Sequence, residues 1–222
     1  CSLAGSTVTC AAAGGPVVLA PAAGGRFAIR IGVTPTTSGP HTNPGTAGVC
    51  TADPDGTIVE PDATQNNRCS DTVTVLAPEL RAIKLSNLGY TIPSGFPFTW
   101  TIVVTNSGAL PALFTDGQRI LVDDLPDSGA TYGAPTVSID SGVTNGAGIT
   151  CGIVEFRLTC SASGGSVTLA SGARLRASIP VTQTQAGTLV NPRPGGVCAV
   201  DPDGLFVEGD EADNLCAHTV RT

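Results

Sequence analysis

Two short acidic windows hold ten of the 18 carboxylates of this 222-residue chain: Asp53, Asp55, Glu60 and Asp62 in one, and Asp201, Asp203, Glu208, Asp210, Glu211 and Asp213 in the other. Each opens on Asp-Pro-Asp-Gly, which sets two carboxylates on a tight turn, and Asn66, Asn67 or Asn214 supplies a neutral oxygen nearby. Calcium takes about six to eight oxygen ligands. A calcium site in each window, on Asp53, Asp55, Glu60 and Asp62 and on Asp201, Asp203, Glu208 and Asp210, is therefore chemically reasonable. Against it stands plain turn chemistry, in which Pro fixes one dihedral, Gly supplies the open one and the acids form a solvated edge. The ligand spacing of an EF-hand is missing, and no other cofactor is expected.

The eight cysteines fall at paired spacings, which fits disulfides made in an oxidising compartment, so an extracellular or cell-surface location is expected. Local pairing is predicted: Cys1 with Cys10, Cys50 with Cys69, Cys151 with Cys160 and Cys198 with Cys216. Short loops of this kind contribute roughly 3 kcal/mol each on the chain-entropy model. The spacings are not those of zinc sites and no histidine adjoins them. Cys1 could be read as a lipid-bearing residue, but its match to Cys151, described below, accounts for it better.

Nucleophilic or acid-base catalysis has little to work with. The two histidines, His41 and His218, adjoin no Ser or Cys motif. Asp123, Asp124 and Asp127 imitate a glycosidase pair, yet LVDDLPDSG reads first as a strand end and a turn. Lys84 is the only lysine and lies on a predicted strand. Beside a buried acid and an asparagine such a lysine could form an isopeptide bond, but the ordinary expectation is an exposed side chain. No enzymatic activity is expected.

The elements that carry these residues emerge when the chain is laid against itself. Cys1, Cys10, Cys50 and Cys69 recur in order as Cys151, Cys160, Cys198 and Cys216, and GVCTADPDG recurs as GVCAVDPDG. Between them Gly14 and Gly15 match Gly164 and Gly165, Arg26 matches Arg174, and Asn43-Pro44 matches Asn191-Pro192. The period is about 150 residues, so residues 1–77 correspond only to the second half of residues 78–222. In the complete unit, Phe96, Phe98, Trp100, Ile102 and Val104 alternate with small or polar residues, as a strand with one buried face does. RILVDDL, YGAPTVSID, IVEFRLTC, SVTLAS and ARLRASIPVTQ follow at roughly ten-residue spacing between turn clusters. Leu175, Ala177, Ile179 and Val181 share one face of the last run, a pattern repeated by Phe27, Ile29, Ile31 and Val33. An all-β chain of tandem antiparallel sandwiches follows.

With 28 Gly, 17 Pro and only 13% charged residues, the composition favours strands and turns over helices. A formal charge of −7 repels phosphate backbones and anionic headgroups, so nucleic acid is not an expected partner. No apolar run is long enough to insert into a membrane. With no methionine anywhere, residue 1 reads as a product of processing or as a cut within a longer chain.

The series TWTIVVTNSGALPA, LVDDLPDSGATY, the cysteine pair Cys151 and Cys160, and the closing DPDG, Glu208, Asp210, Asn214 pattern resembles the conserved-repeat domain (DUF-eleven type) of bacterial and archaeal surface proteins. The closing pattern is also similar to that of the cell-adhesion-related bacterial domain (CARDB). The resemblance implies immunoglobulin-like sandwiches strung in tandem in a secreted wall, sheath or filament, with no catalytic residues to carry over. A half sandwich exposes unpaired strand edges, which recruit other chains. Residues 1–77 are therefore expected to be completed by upstream sequence or by a neighbouring copy through strand exchange, and head-to-tail contacts between copies give filaments. The rival reading is an adhesin or binding module, with calcium and surface glycans as candidate ligands. One Trp and two Tyr make a poor sugar platform, and with no N-glycosylation sequon any sugar carried would be O-linked.

Overall fold

The computed structural model describes all residues except 22–24, 61–65, 94 and 222. By their contacts the residues divide into two compact units, Cys1–Thr34 and Pro35–Thr222. The described secondary structure is almost wholly β, and the four cysteine pairs are bonded locally in the order predicted.

In the first unit β1 (Ser2–Ala4) and β2 (Thr7–Thr9) form a hairpin closed by the Cys1–Cys10 disulfide. The strand expected over Phe27, Ile29, Ile31 and Val33 is not formed, and these side chains are 67, 48, 52 and 80% exposed. An isolated extended segment has no ladder to satisfy its backbone and no apolar surface to cover its side chains.

The second unit begins with a ladder of β3 (Gly39–Asn43) and β4 (Asp71–Val75). The sandwich follows: β5 (Leu80–Ser86), β6 (Pro97–Asn106), β7 (Ala112–Phe114), β8 (Arg119–Asp124), β9 (Ala130–Tyr132), β10 (Thr136–Thr144), β11 (Ile149–Val154), β12 (Arg157–Ala162), β13 (Val167–Gln183), β14 (Thr188–Asn191), β15 (Cys198–Val200) and β16 (His218–Arg221). One sheet has the order β10-β13-β6-β5, with β7 and β9 also on β13, and the other has the order β11-β12-β8-β15. β14 and β16 make a separate two-stranded ribbon. The core lies where the alternating faces meet. Phe98, Trp100, Ile102 and Val104 of β6 stand in register with Val181, Ile179, Ala177 and Leu175 of β13, all at most 3% exposed. Leu158, Cys160 and Val200 join the same cluster from the second sheet. Each of the larger aliphatic side chains among them contributes about 1.5–3 kcal/mol by leaving water.

Three strand expectations are corrected. Phe96 lies outside β6 and is 58% exposed, because the strand starts at Pro97. IVEFRLTC is not one strand but the hairpin of β11 and β12, turning at Glu155 and Phe156 with φ of 47° and 61°. Two positive φ values suit a two-residue hairpin turn, but neither residue type advertises one. SVTLAS and ARLRASIPVTQ are one 17-residue strand, β13. Ser141 faces Arg174 while Val143 faces Leu169, so residues 170–173 are accommodated as a bulge, with Gly172 at φ 76°. Among the described residues, no helix is long and apolar enough to cross a membrane.

Candidate functional site

The Asp-Pro-Asp-Gly segments are tight turns in both copies. Gly56 N donates to Asp53 O and Gly204 N to Asp201 O, each at 3.1 Å, and Asp53 and Asp201 share a φ of 44°. The first Asp spends its carboxylate on the turn. Asp53 Oδ2 accepts from Ile58 N at 2.8 Å, and its Oδ1 accepts from the amide and hydroxyl of Thr57 at 3.0 and 2.9 Å. These bonds, that from Ile58 N foremost, hold the Asp53 carboxyl below its ordinary pKa. Asp201 Oδ2 likewise accepts from Phe206 N at 3.1 Å. Asp203 forms a two-pronged pair with Arg119. Asp210 accepts from Ala212 N at 3.0 Å, Asp55 is exposed on its turn, and Asp62 lies outside the described residues. Among the described residues, the acids named from sequence are thus not gathered into one ligand set.

The structure instead gathers Glu208 with two acids outside the named set. Carboxylate oxygens of Glu79, Glu208 and Asp213 lie within 4.8 Å of one another. Glu79 and Glu208 make a reciprocal exchange. Glu208 Oε2 accepts from Leu80 N at 3.2 Å, while the two Glu79 oxygens accept from Gly209 N and Asp210 N at 2.6 and 2.9 Å. Ala82 N donates to Asp213 O at 3.0 Å, so the loop 208–213 covers the outer edge of β5. Glu60, the counterpart of Glu208, joins no such trio among the described residues.

This exchange leaves oxygens over. Glu208 Oε1, Asp213 Oδ1, Asn214 Oδ1 and Asp201 Oδ1 are shielded from solvent without a hydrogen-bond partner. Burial, reinforced by the charges of Glu211 and Asp201, pushes the Glu208 carboxyl up to about 7. Burial, with the charges of Glu79, Asp210 and Glu211, also raises that of Asp213. Arg81 is a cation acting on Asp213 in this crowd of acids, and hard oxygens of this kind are the ligand type that calcium prefers.

A second polar cluster lies inside the sandwich. The expectation that Lys84 is exposed is corrected: in β5, Leu80, Ala82, Lys84 and Ser86 form the buried face and the intervening residues are exposed. Lys84 Nζ donates to Asp123 Oδ1 at 2.6 Å, and both side chains are fully buried. Asn191 Nδ2 donates to the other oxygen of Asp123 at 3.1 Å, and Asn191 is 0% exposed. Desolvation draws the Lys84 ammonium down to about 8 against the pull of Asp123, and desolvation raises the Asp123 carboxyl. Asp124, next on β8, serves different partners: it accepts from Val197 N at 2.9 Å and pairs with Arg157 at 3.4 Å and Arg193 at 3.7 Å. Asp123 and Asp124 are therefore engaged separately and do not converge on a substrate as a catalytic pair. The usable signal was the period of two in RAIKLS, which puts Lys84 on the face of Leu80 and Ala82.

No family model and no curated protein matches the chain. Among solved structures it is similar to the major pilin subunit BcpA of Bacillus cereus, at 12% identity and a TM-score of 0.37, over 74% of this chain and 45% of that one. It is similar to the C-terminal domain of the Streptococcus pyogenes antigen I/II-family protein AspA, at 12% and 0.36, over 70% and 49%. It is also similar to AvmM, described as catalysing macrocyclization in alchivemycin A biosynthesis, at 11% and 0.32, over 65% and 89%. The chain spans about half the length of the first two structures. The likeness is remote, and the fold described above rests on the strand ladders themselves.

Proposed function

We propose that this chain is a load-bearing segment of an extracellular filament, sheath or cell-surface fibre, assembled from immunoglobulin-like repeats with copies of itself as partner. The observation that carries the reading is how β5, the first strand of the complete sandwich, is fastened. One edge pairs with β6, the other is covered by the loop 208–213, and Lys84 anchors its middle to β8 through a buried ion pair. Force along a string of such units enters through strands near the ends of each unit, and β5 is held on both edges and from within. Four local disulfides support an oxidising, extracellular setting. The ordered motif series supports a place among conserved-repeat and CARDB-type surface domains. Calcium at Glu79, Glu208 and Asp213, with Asn214 alongside, would stiffen the seam between β5 and the closing loop.

Electron microscopy of native extracellular material, with the chains identified by mass spectrometry, tests the proposal. Regular filaments containing this chain are the expected result. Dispersed monomers would overturn it in favour of an adhesin, to be screened against surface glycans and receptors.

A further inference from the structure

We infer that the sandwich closes its own amide cross-link, joining Lys84 Nζ to Asn191 Cγ with Asp123 as the proton carrier and ammonia as the leaving group. The argument does not depend on the filament reading.

The first ground is geometric. One carboxylate holds the attacking and the departing nitrogen together, Lys84 Nζ at 2.6 Å on Oδ1 and Asn191 Nδ2 at 3.1 Å on Oδ2. All three residues are at most 5% exposed, so water is kept from competing for the carboxamide. Asn191 Oδ1 is buried without a partner, leaving the carbonyl unengaged by any donor that would fix it as a purely structural amide.

The second ground is residue choice. A buried ion pair is better served by arginine, whose planar fork binds a carboxylate at two points, whereas lysine is the cation that burial converts to a nucleophile. This chain has 11 basic residues and a single lysine, and that lysine is the one placed here. Burial lowers the pKa of Lys84 and raises that of Asp123, which favours proton transfer from ammonium to carboxylate.

The third ground is the neighbour of the amide. Asparagine usually loses ammonia through attack by the following backbone N–H, but residue 192 is proline and has none. The Asn191 carboxamide is therefore kept for another nucleophile.

The atoms balance. Lys84 passes one proton to Asp123 and becomes a neutral amine. Its lone pair forms a bond to Asn191 Cγ. Asp123 accepts a second proton from Nζ as it gives its own to Nδ2, the Cγ–Nδ2 bond breaks, and ammonia departs, taking up the remaining acid proton as ammonium. No oxidant, metal or second substrate is required. The product bonds β5 covalently to β14, across the load path.

The test is the intact mass of the full chain, reduced and denatured, followed by peptide mapping. The expected result is a wild-type mass one ammonia below that of the sequence and a branched peptide containing both Lys84 and Asn191. Lys84→Arg, which keeps the positive charge, and Asp123→Ala should both restore the full mass. A folded wild-type chain of full mass, with Lys84 and Asn191 in separate linear peptides, would overturn the proposal. So would an ammonia loss that persists in Lys84→Arg, and since these readouts do not need Asp123→Ala to fold, they decide the matter alone.

Discussion

Residues 1–77 and 151–222 carry the same motif series, yet the structure treats them differently. Where matching residues bond within a short stretch of chain, the two copies agree in most of their backbone bonds. The hairpin of β1 and β2 reproduces that of β11 and β12, and Cys69 N donates to Cys50 O at 3.1 Å as Cys216 N does to Cys198 O at 2.9 Å. Ala52 N donates to Asn67 O as Val200 N does to Asn214 O, and Asn43 faces Asp71 across β3 and β4 as Asn191 faces His218 across β14 and β16. Where the bonds must come from the front half of a unit, the copies part. Leu175, Ala177, Ile179 and Val181 are buried between β6 and β10, while Phe27, Ile29, Ile31 and Val33 are exposed with no ladder. Turns and local disulfides are made by their own residues, whereas a core strand is made by its neighbours.

The largest expected effect lies where the complete unit has buried polar residues and the open copy, among its described residues, has none. Asp123→Ala strands the Lys84 amine in the core and should cost about 3–5 kcal/mol, read as a fall in melting temperature. Asn43→Ala, at an exposed counterpart of Asn191, should leave that temperature unchanged. A similar loss in both would break the contrast.

Core truncation comes next. Ile179→Ala should destabilise the sandwich by about 2–5 kcal/mol, while Ile31→Ala, at the matching position, should stay within about 0.5 kcal/mol. Denaturant titration followed by the fluorescence of Trp100 measures both. A sizeable cost at Ile31 would mean that its segment is covered in solution, as strand exchange between copies requires.

Removing the Cys198–Cys216 disulfide by paired alanines should cost roughly 3 kcal/mol of global stability. Removing Cys50–Cys69 should instead loosen its own loop, seen as faster amide exchange around residues 50–69 with little change in the sandwich.

The smallest effect concerns Glu208. Its carboxyl is raised from 4.5 to about 7 in the folded chain, so between those values the folded state binds the extra proton and stability falls as pH rises. Glu208→Gln should therefore raise the melting temperature near pH 7.5 by a few degrees and make little difference near pH 4.5. His218, whose pKa burial lowers, contributes a pH dependence of the opposite sign, so the difference between variant and wild type is the proper readout. Calcium should raise the wild-type melting temperature at pH 7.5 more than that of Glu208→Gln. Glu60→Gln in the open copy should change neither response, and a melting temperature indifferent to both calcium and EDTA would remove the metal from the proposal.

The repeat, the pairing of the cysteines, the tight Asp-Pro-Asp-Gly turns and the alternating strands of an all-β sandwich were determined by the sequence alone, because each depends on spacing along the chain or on the conformational limits of Pro and Gly. The Glu155-Phe156 turn was not legible, since neither residue is a turn former and tertiary pairing imposes the positive φ on them. Nor were the polar clusters. Glu79 lies 129 positions from Glu208 in the numbering, and Lys84, Asp123 and Asn191 come from three strands, β5, β8 and β14. Only folding brings such groups together, because their proximity is set by which faces of two sheets meet, and no local pattern encodes that meeting.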